Sequence, residues 1–354
     1  MLSLKQLAIL AVAVAVLWRP IVMPAFIWAV TAPYDPTIGT ILPVLTPAEL
    51  APFYKNKRAL VVGGTRGTGF GTAQALVKAG AHVTLVGRRE STGQHAVTQL
   101  QQVAATPEQQ IQFQQGDIGS VRSTLELIKT LQYKAEDTRY DLFIVSAGIF
   151  PDWKELRNED GLEKSYGIAV VGRFLLYKHM HRFLKPQARV LNILASGMYV
   201  PWNIDKEMAI GKKLPTNLAK AMINFSTAHE VMLVGLDQRD DEETMMSTFT
   251  RVSTHPGVVE TQLHAGQGWF LDTAMRLGEQ IIATSVEDCG LMQASILASD
   301  QLPPGKLSYV DAFGMGRLRS AALQQQVEEH LDWLWYTLLR LEQSNGRTKN
   351  QSTE

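Results

Sequence analysis

The feature that most constrains this chain is a glycine-rich turn that follows an apolar, strand-like run. Residues 58–71 read Arg-Ala-Leu-Val-Val-Gly-Gly-Thr-Arg-Gly-Thr-Gly-Phe-Gly, and a helix-forming segment comes next. In this order, the first glycine permits a tight turn, the second lets backbone amides approach a phosphate, and the third lets the helix pack on the strand. The positive end of the helix dipole then faces the anion. The pattern predicts a site for a dinucleotide pyrophosphate. The residues expected to line it are Gly63, Thr65, Arg66, Gly67, Thr68 and Gly69.

Strand and helix patterns alternate along residues 57–315, which we interpret as one domain. The strand candidates are Ala59–Val62, His82–Val86, Ile111–Gln114, Asp141–Val145, Ala188–Leu194, Phe249–Ser253 and Lys306–Val310. Long helical patterns lie between most of them, such as Thr72–Ala79, Val121–Leu131, Leu162–Leu184 and Leu218–Leu236. Strands that alternate with crossover helices predict an α/β fold, a Rossmann-type doubly wound parallel sheet with helices on both faces.

Composition excludes some classes of partner and site. The 354 residues carry 34 Lys and Arg against 34 Asp and Glu, and no basic block with interleaved aromatic residues is present. Nucleic acid is therefore not an expected partner. The single cysteine, Cys289, allows no intrachain disulfide and lies in a helical pattern typical of a buried residue. No Cys and His grouping has zinc spacing, so no metal site is predicted.

The first 32 residues have a different character from the rest of the chain. Leu7–Trp18 and Ile21–Val30 are apolar runs separated only by Arg19 and Pro20. Three interpretations compete: a cleaved signal peptide, a single transmembrane span from Leu7 to Val30, and a monotopic hairpin or in-plane anchor that turns at Arg19. The apolarity continues too far for a signal peptide, and no good cleavage site follows. We favour an uncleaved membrane anchor over residues 1–32.

Two further segments flank the predicted domain. Residues 33–56 contain several prolines, which discourage regular structure and suit a semi-extended spacer. Residues 316–354 form the C-terminal part, in which Ala321–Leu341 is predicted to be one amphipathic helix and the last ten residues are polar. We favour packing of this helix on the domain edge over a second membrane contact. Lys55, Lys57 and Arg58 favour a cytosolic position for the domain.

The residues after the second strand bear on cofactor choice. An acidic side chain there would bond a ribose 2′-hydroxyl and select NAD, but this chain has Gly87-Arg88-Arg89. Together with Arg66 in the glycine turn, these guanidinium groups would bind a 2′-phosphate, which predicts NADP(H). Asp117, after the third strand, could accept from the adenine amino group with Ile118 beside the ring, or could serve only as a turn residue.

These segments resemble the short-chain dehydrogenase/reductase family, particularly its membrane-anchored retinol-dehydrogenase-like members. The family's TGxxxGxG turn corresponds to residues 62–69, with Val62 in place of Thr. Its NNAG segment resembles Val-Ser-Ala-Gly at 145–148, and its PGxVxT segment is intact at 256–261. By resemblance, the first segment lines the adenine–ribose cleft and the second meets the nicotinamide. The cofactor residues that the resemblance adds are Ala147, Gly148, Pro256, Gly257, Val259 and Thr261.

The resemblance also implies a catalytic set, which this chain carries in altered form. The family's Tyr acts on the substrate oxygen, because a phenol's pKa can be lowered toward neutrality; a Lys four residues later lowers it and bonds the nicotinamide ribose. Here Lys220 is present, but Thr216 stands at the position of the Tyr. The family's Ser falls on Ala195, with Ser196 one residue later, and its Asn falls on Ala169.

Two functional interpretations therefore stay open. In the first, Ser196 and Tyr199 supply the missing groups near Lys220, and the protein is an NADP(H)-dependent oxidoreductase of a lipophilic carbonyl or alcohol at the endoplasmic reticulum or lipid-droplet membrane. Tyr199 could equally pack its ring on the surface. The apolar segments Met198–Pro215 and Gln262–Phe270 suit such a substrate. In the second, the protein binds NADP(H) as a membrane-bound redox sensor or scaffold. The resemblance also allows a homodimer through the helix at Leu162–Leu184.

Overall fold

The fold is an eight-stranded sheet covered by helices on both faces. The structure is a computed structural model that describes residues 42–136, 138–194, 204–239, 245–261, 283–311, 314–317 and 321–346. The strands are β1 Arg58–Val62, β2 His82–Gly87, β3 Ile111–Gln115, β4 Tyr140–Val145, β5 Leu184–Ile193, β6 Thr250–Thr254, β7 Leu307–Val310 and β8 Gly316–Arg317.

The strand order defines the topology that the sequence predicts. The order is β3-β2-β1-β4-β5-β6-β7-β8, with parallel pairing from β3 to β7 and an antiparallel β8 at the edge. The predicted parallel, doubly wound sheet is thus confirmed. In such a sheet all seven parallel strands end at one edge, which we name the carboxyl edge; the opposite one is the amino edge. Ligands of open α/β sheets bind at the carboxyl edge, where the strand order reverses, here between β1 and β4.

The helices divide between two faces of the sheet. They are α1 Pro47–Tyr54, α2 Gly67–Lys78, α3 Glu90–Gln101, α4 Val121–Lys134, α6 Lys206–Ala209, α7 Leu218–Gln238, α8 Val286–Ala298 and α9 Ala321–Gly346. Helix α5 comprises three consecutive segments, Lys164–Tyr166, the π-helical Gly167–Gly172 and Arg173–His179. One apolar core lies between the sheet and α1, α2, α3 and α8, and the other between the sheet and α4, α5, α7 and α9.

A short helix lies where the sequence predicts a semi-extended spacer. Helix α1 begins after Thr46, whose side chain and Glu49 form a capping box, and Pro47 occupies the first helical position, where proline is well tolerated. Leu50 and Tyr54 are fully buried, and the Tyr54 hydroxyl donates to the Ala294 carbonyl at 2.6 Å. The residues from 42 onward therefore pack as part of the domain.

Helix α9 covers α5 and α7 on the second face. Trp335 meets Phe174 edge to face, with ring centroids 5.3 Å apart, and the side chain of Leu331 fills the space above Gly235 of α7. Glu342 accepts from Lys178 at 2.9 Å and lies 2.6 Å from Nε2 of His179. With the sheet, α4 and α7 on its other sides, every residue from Ser165 to Tyr177 of α5 is buried.

The predicted membrane anchor, residues 1–32, lies outside the described residues. Within the part of the chain that the structure describes, no helix combines the length and the apolarity needed to cross a membrane.

Candidate dinucleotide site

The glycine turn after β1 brings two strand ends into contact. Gly63 has a φ of +82°, and a Cβ atom there would lie 2.4 Å from the backbone nitrogen of Ala147 in the loop after β4. A Cβ on Gly69 would lie 2.3 Å from the Gly63 carbonyl oxygen. Only glycine fits these positions, because missing space excludes a side chain at both and the left-handed backbone disfavours one at Gly63. The predicted residues Gly63, Gly69 and Ala147 therefore lie together at the carboxyl edge.

The first turn of α2 is open to an anion. Arg66 is the N-cap residue, and its side chain makes no capping hydrogen bond to the helix. Amide groups at the start of a helix need a partner from outside the helix, and the helix dipole favours an anionic one. Gly67 has a φ of +57°, and a Cβ there would lie 3.1 Å from Cγ2 of Thr261 in the loop after β6. This cradle fits a pyrophosphate.

Three arginines form a cationic cluster beside this turn. Burial lowers the pKa of Arg66, and the nearby charges of Arg89 and Arg88 lower it further. None of the three has an ion-pair partner among the described residues. A cluster of like charges without a carboxylate is unfavourable unless an anion joins it, so these residues fit a phosphate. A Cβ on Gly87, at the end of β2, would lie 2.8 Å from the Thr65 side chain, which ties the two segments together.

The segment after β3 has a defined turn. An Asp117 carboxylate oxygen accepts a hydrogen bond from the Gly119 amide at 2.9 Å, so the turn role of this residue is present in the structure. Its predicted contact with adenine stays a prediction. Ile118 is 4% exposed, and a Cβ on Gly172 of α5 would lie 2.2 Å from the Ile118 carbonyl oxygen. Helix α5 therefore fixes the floor of this part of the site.

The loop after β6 is held on both sides. His255 Nδ1 accepts from the Gly257 amide at 2.9 Å, and burial lowers the pKa of His255 to about 4, against the opposing effect of Asp311. The imidazole is therefore neutral at physiological pH and keeps its acceptor nitrogen. Val259 pairs with Thr284 in a parallel bridge and is 7% exposed. The loop from Pro256 to Thr261 thus meets the glycine turn in a fixed conformation.

The altered catalytic set is only partly within the described residues. Helix α7 begins at Leu218, and its N-cap Asn217 accepts from the backbone amide of Lys220 at 2.9 Å. Thr216 is exposed and precedes the N-cap, so it does not share a helical turn with Lys220. The Lys220 side chain is exposed and makes no hydrogen bond or ion pair with the described residues. Ser196 and Tyr199 lie outside the described residues.

A buried arginine behind the site was missed by sequence reasoning. Arg173 of α5 is completely buried, and its guanidinium donates to the carbonyls of Val145 at 3.2 Å, Ala147 at 2.8 Å and Ile193 at 2.9 Å. These carbonyls belong to the ends of β4 and β5, so the side chain joins the two strands at the carboxyl edge. Its signal in the sequence is a lone charged residue in the apolar run of residues 167–177, since an arginine is rarely buried without partners.

Asn192 of β5 connects this arginine to other elements. Its Oδ1 accepts from Arg173 and, at 2.6 Å, from the Tyr177 hydroxyl, and lies 3.2 Å from Nε2 of His229. Its Nδ2 donates to Ser253 Oγ at 2.8 Å. Beside His229, the Glu230 carboxylate is 2% exposed. Burial lowers the pKa of Arg173, whereas the charge of Glu230 raises it. Asn192 is paired through both of its polar side-chain atoms, whereas both Glu230 carboxylate oxygens and Arg173 Nε are buried without a hydrogen-bond partner among the described residues, which is costly in the interior.

The glycine turn, the open helix N-terminus and the strand order define a dinucleotide-binding α/β protein. Comparison with protein families agrees: residues 57–204 match the model described as short chain dehydrogenase. Over this region the chain is similar to the short-chain dehydrogenase/reductase family, as a divergent relative; proteins of that family are oxidoreductases that bind a nicotinamide cofactor.

Several characterised proteins are similar to this chain. Polyprenol dehydrogenase of Homo sapiens is 26% identical over 68% of this chain and 70% of its own length, and that of Mus musculus is 26% identical over 81% and 84%. The polyprenol dehydrogenase of Danio rerio is 31% identical, over 35% of this chain and 37% of that protein.

Solved structures support the fold. The MalC reductase/Diels-Alderase of Malbranchea aurantiaca has a TM-score of 0.55 at 18% identity, covering 78% of this chain and 98% of its own. The Pseudomonas aeruginosa RhlG/NADP complex has a TM-score of 0.52 at 20% identity, covering 73% and 96%.

Proposed function

We propose that this protein is an NADP(H)-dependent oxidoreductase that interconverts a lipophilic alcohol and its carbonyl compound at a membrane. The observation that carries the cofactor choice is the cluster of Arg66, Arg88 and Arg89 beside an open helix N-terminus, none of which forms an ion pair with a carboxylate of the described residues. An acidic residue at the end of β2 would repel a 2′-phosphate, whereas guanidinium groups bind one through charge-assisted hydrogen bonds.

The chain's own residues have distinct tasks in this proposal. The cofactor, when bound, supplies or accepts a hydride. The first turn of α2 holds the pyrophosphate, and the three arginines hold the 2′-phosphate. The loop from Pro256 to Thr261 orients the nicotinamide, and Lys220 bonds its ribose by resemblance to the family. Ser196 and Tyr199 are the proposed groups that orient the substrate and exchange its hydroxyl proton.

The substrate class is inferred from the relatives and from the sequence. The polyprenol dehydrogenases named above are similar to this chain over most of its length in two cases, and a polyprenol is a long apolar alcohol. The segments Met198–Pro215 and Gln262–Phe270 contain the aromatic residues Trp202 and Trp269, as a site for an apolar ligand requires. With the apolar run of residues 1–32, these features support a substrate delivered from a membrane.

A binding experiment tests the cofactor. Arg88→Ala in the full chain should weaken NADPH binding about 10- to 100-fold, since a hydrogen bond to a charged group contributes about 1.5–3 kcal/mol. NADH binding should change less than about threefold. Arg122→Ala is the matched control, because Arg122 pairs with Glu159 and both side chains are 63% exposed. Equal loss of NADPH and NADH affinity in Arg88→Ala would contradict a role in phosphate recognition.

A turnover experiment tests the chemistry. NADPH oxidation should couple to product formation with at least one compound from a panel of polyprenal, retinoid, steroid and long-chain aldehydes. Tyr199→Phe should abolish turnover and spare NADPH binding, because only the phenol proton is lost. Unchanged turnover in Tyr199→Phe would refute the assignment of that residue.

The second candidate is an NADP(H)-binding sensor or scaffold without carbonyl chemistry. It is favoured by one observation, the exposed Thr216 that precedes α7 where the family carries its catalytic Tyr. NADPH binding without turnover on the whole panel, in wild type and in Thr216→Tyr alike, would support it.

Imaging of the full tagged chain tests the expected location at the endoplasmic reticulum or lipid-droplet membrane, and a diffuse signal would contradict it.

A further inference from the structure

The chain enters the domain at the carboxyl edge of the sheet. Leu42, the first described residue, is 5% exposed, and its amide donates to the Gly314 carbonyl at 2.9 Å. Gly314 lies in the turn between β7 and β8, just beyond Val310, the last residue of β7. The Val310 carbonyl accepts from the amide of His255, which begins the cofactor loop. The entry point therefore shares the edge that carries the dinucleotide site.

From this point the chain runs away toward the amino edge. The amide of Leu45 donates to Ser295 Oγ at 2.9 Å, and Tyr54 donates to Ala294, both in the second half of α8. Arg58 then begins β1 at the amino edge. Because the buried side chains of Leu42, Leu50 and Tyr54 and these hydrogen bonds hold the path in place, the apolar segment that precedes residue 42 in the sequence is tethered to the carboxyl edge.

The same edge exposes large apolar side chains. Trp153, in the loop after β4, is 38% exposed, and Ile210, in the segment after β5, is 37% exposed. The Arg157 guanidinium joins the two segments by donating to the carbonyls of Gly161 and Gly211. Trp153 and Ile210 therefore belong to one connected rim. Exposed tryptophan is typical of proteins that touch the membrane–water interface.

The length of the tether limits the orientation. Eleven residues, 31 to 41, separate the apolar runs from Leu42. Any flexible chain of this length spans roughly 18 Å on average, and no chain of this length spans more than about 40 Å. β1 and β4, with five and six residues, extend about 17–20 Å between the two edges. A membrane at the amino edge would thus require the tether to run back along the whole height of the sheet, whereas a membrane at the carboxyl edge lies directly where the tether ends.

We propose that the carboxyl edge faces the bilayer, with the rim of Trp153 and Ile210 at the lipid surface. The crevice between β1 and β4 then opens toward the membrane, so that a lipophilic substrate enters from the bilayer without crossing water. The partner of this surface is the lipid bilayer. The orientation rests on the proposed membrane anchor, whereas the entry route rests on the proposed function.

The lone cysteine makes the test direct. Cys289 is 2% exposed, and burial raises the pKa of its thiol to about 12, so the native chain reacts little with thiol reagents. Single cysteines at Trp153→Cys or Ile210→Cys would carry an environment-sensitive fluorophore on the rim. Tyr133→Cys and Met245→Cys are the controls, since both residues are exposed, at 74% and 37%, and lie at the amino edge.

Each labelled full chain is reconstituted into phosphatidylcholine vesicles containing lipids with a nitroxide quencher near the headgroup. We expect quenching at 153 and 210 to exceed that at 133 and 245 at least threefold. Equal quenching at all four positions, or stronger quenching at 133 and 245, would overturn the orientation, as would a chain that does not float with the vesicles. The quenching assay does not depend on turnover. A protein that is inactive in the turnover experiment but is quenched at the rim would therefore refute the proposed reaction and leave the orientation standing.

Discussion

Removal of the Arg173 guanidinium tests whether the buried network joins the ends of β4 and β5. Arg173→Met preserves much of the side-chain volume but leaves the Val145, Ala147 and Ile193 carbonyls without this donor. The substitution also takes a cation away from the buried Glu230 carboxylate, whose charge raises the pKa of Arg173. Because three buried carbonyls lose a donor and a buried carboxylate loses a nearby cation, we expect a cost of about 3–5 kcal/mol, a large part of the ordinary stability of a domain. At about 2–4 °C per kcal/mol for large domains, the melting temperature should fall roughly 10 °C.

A double-mutant cycle separates the electrostatic interaction of Arg173 with Glu230 from the hydrogen bonds that Arg173 donates. Glu230→Gln alone should cost about 1–3 kcal/mol, because Arg173 then stays buried without a negative charge. The loss of unfolding free energy in the double variant should be smaller than the sum of the two single losses by at least about 1 kcal/mol. The free energy of unfolding is measured by urea titration of the full chain in non-ionic detergent, followed by near-UV circular dichroism.

The control for this cycle is a surface pair. Arg122→Met removes an arginine whose side chain and that of its partner Glu159 are both 63% exposed, so its cost should stay below about 1 kcal/mol. Additivity of Arg173→Met and Glu230→Gln within about 0.5 kcal/mol would refute the argument that the carboxylate compensates the guanidinium.

Three further predictions concern packing and pH. Gly71→Ala should destabilise the fold by about 1–3 kcal/mol, because its Cβ would lie 2.0 Å from the Val286 carbonyl oxygen and force α2 and α8 apart; urea unfolding measures it. Leu334→Ala should cost about 2–5 kcal/mol in the same assay, since Leu334 of α9 is fully buried. Wild-type stability should fall as pH drops from 6.5 toward 4, because the unfolded chain then protonates His255 while the folded chain, with its pKa of about 4, does not. His255→Asn keeps an acceptor for Gly257 and should remove about 2 kcal/mol of the loss between pH 7 and pH 5.

Each of these has an outcome that would contradict it. Gly148→Ala serves as the control for Gly71→Ala, since a Cβ there would meet only a Leu194 methyl at 3.8 Å; equal destabilisation by both would refute the close-packing argument. A Leu334→Ala protein as stable as wild type would show that α9 contributes little to the core. An unchanged pH dependence in His255→Asn would mean that other groups cause the acid loss.

The strands could be predicted from the sequence because parallel strands covered on both faces are continuous apolar runs. Six of the seven predicted strands agree with the structure within one residue at each end, such as Ile111–Gln115. Strand β5 begins at Leu184, four residues before the prediction, because Lys185, Pro186 and Gln187 give its first part a polar pattern. Helix α1 was missed since its prolines suggest an irregular spacer, although one of them stands at the first helical position.

The candidate site likewise has features that could be predicted from the sequence and features that could not. The glycine turn and the loops after β4 and β6 could be predicted, because each is a local pattern at the end of a strand. The contacts of Arg173 could not, because they join residues from α5, β4 and β5 that only the tertiary fold brings together. His229 illustrates the limit: its neighbour Asn192 is 37 residues away in the sequence, and no periodicity links them.

Helix α9 has a consequence for self-assembly. Because the chain's own C-terminal helix fills the groove over α5 and α7, no residue between Ser165 and Tyr177 is left for a second copy to touch. A homodimer through this helix would first have to release Trp335 and Glu342 from their contacts with α5. We therefore expect α9 to cover the surface of α5 that a partner subunit would otherwise cover. Any pairing of two copies should use other surfaces.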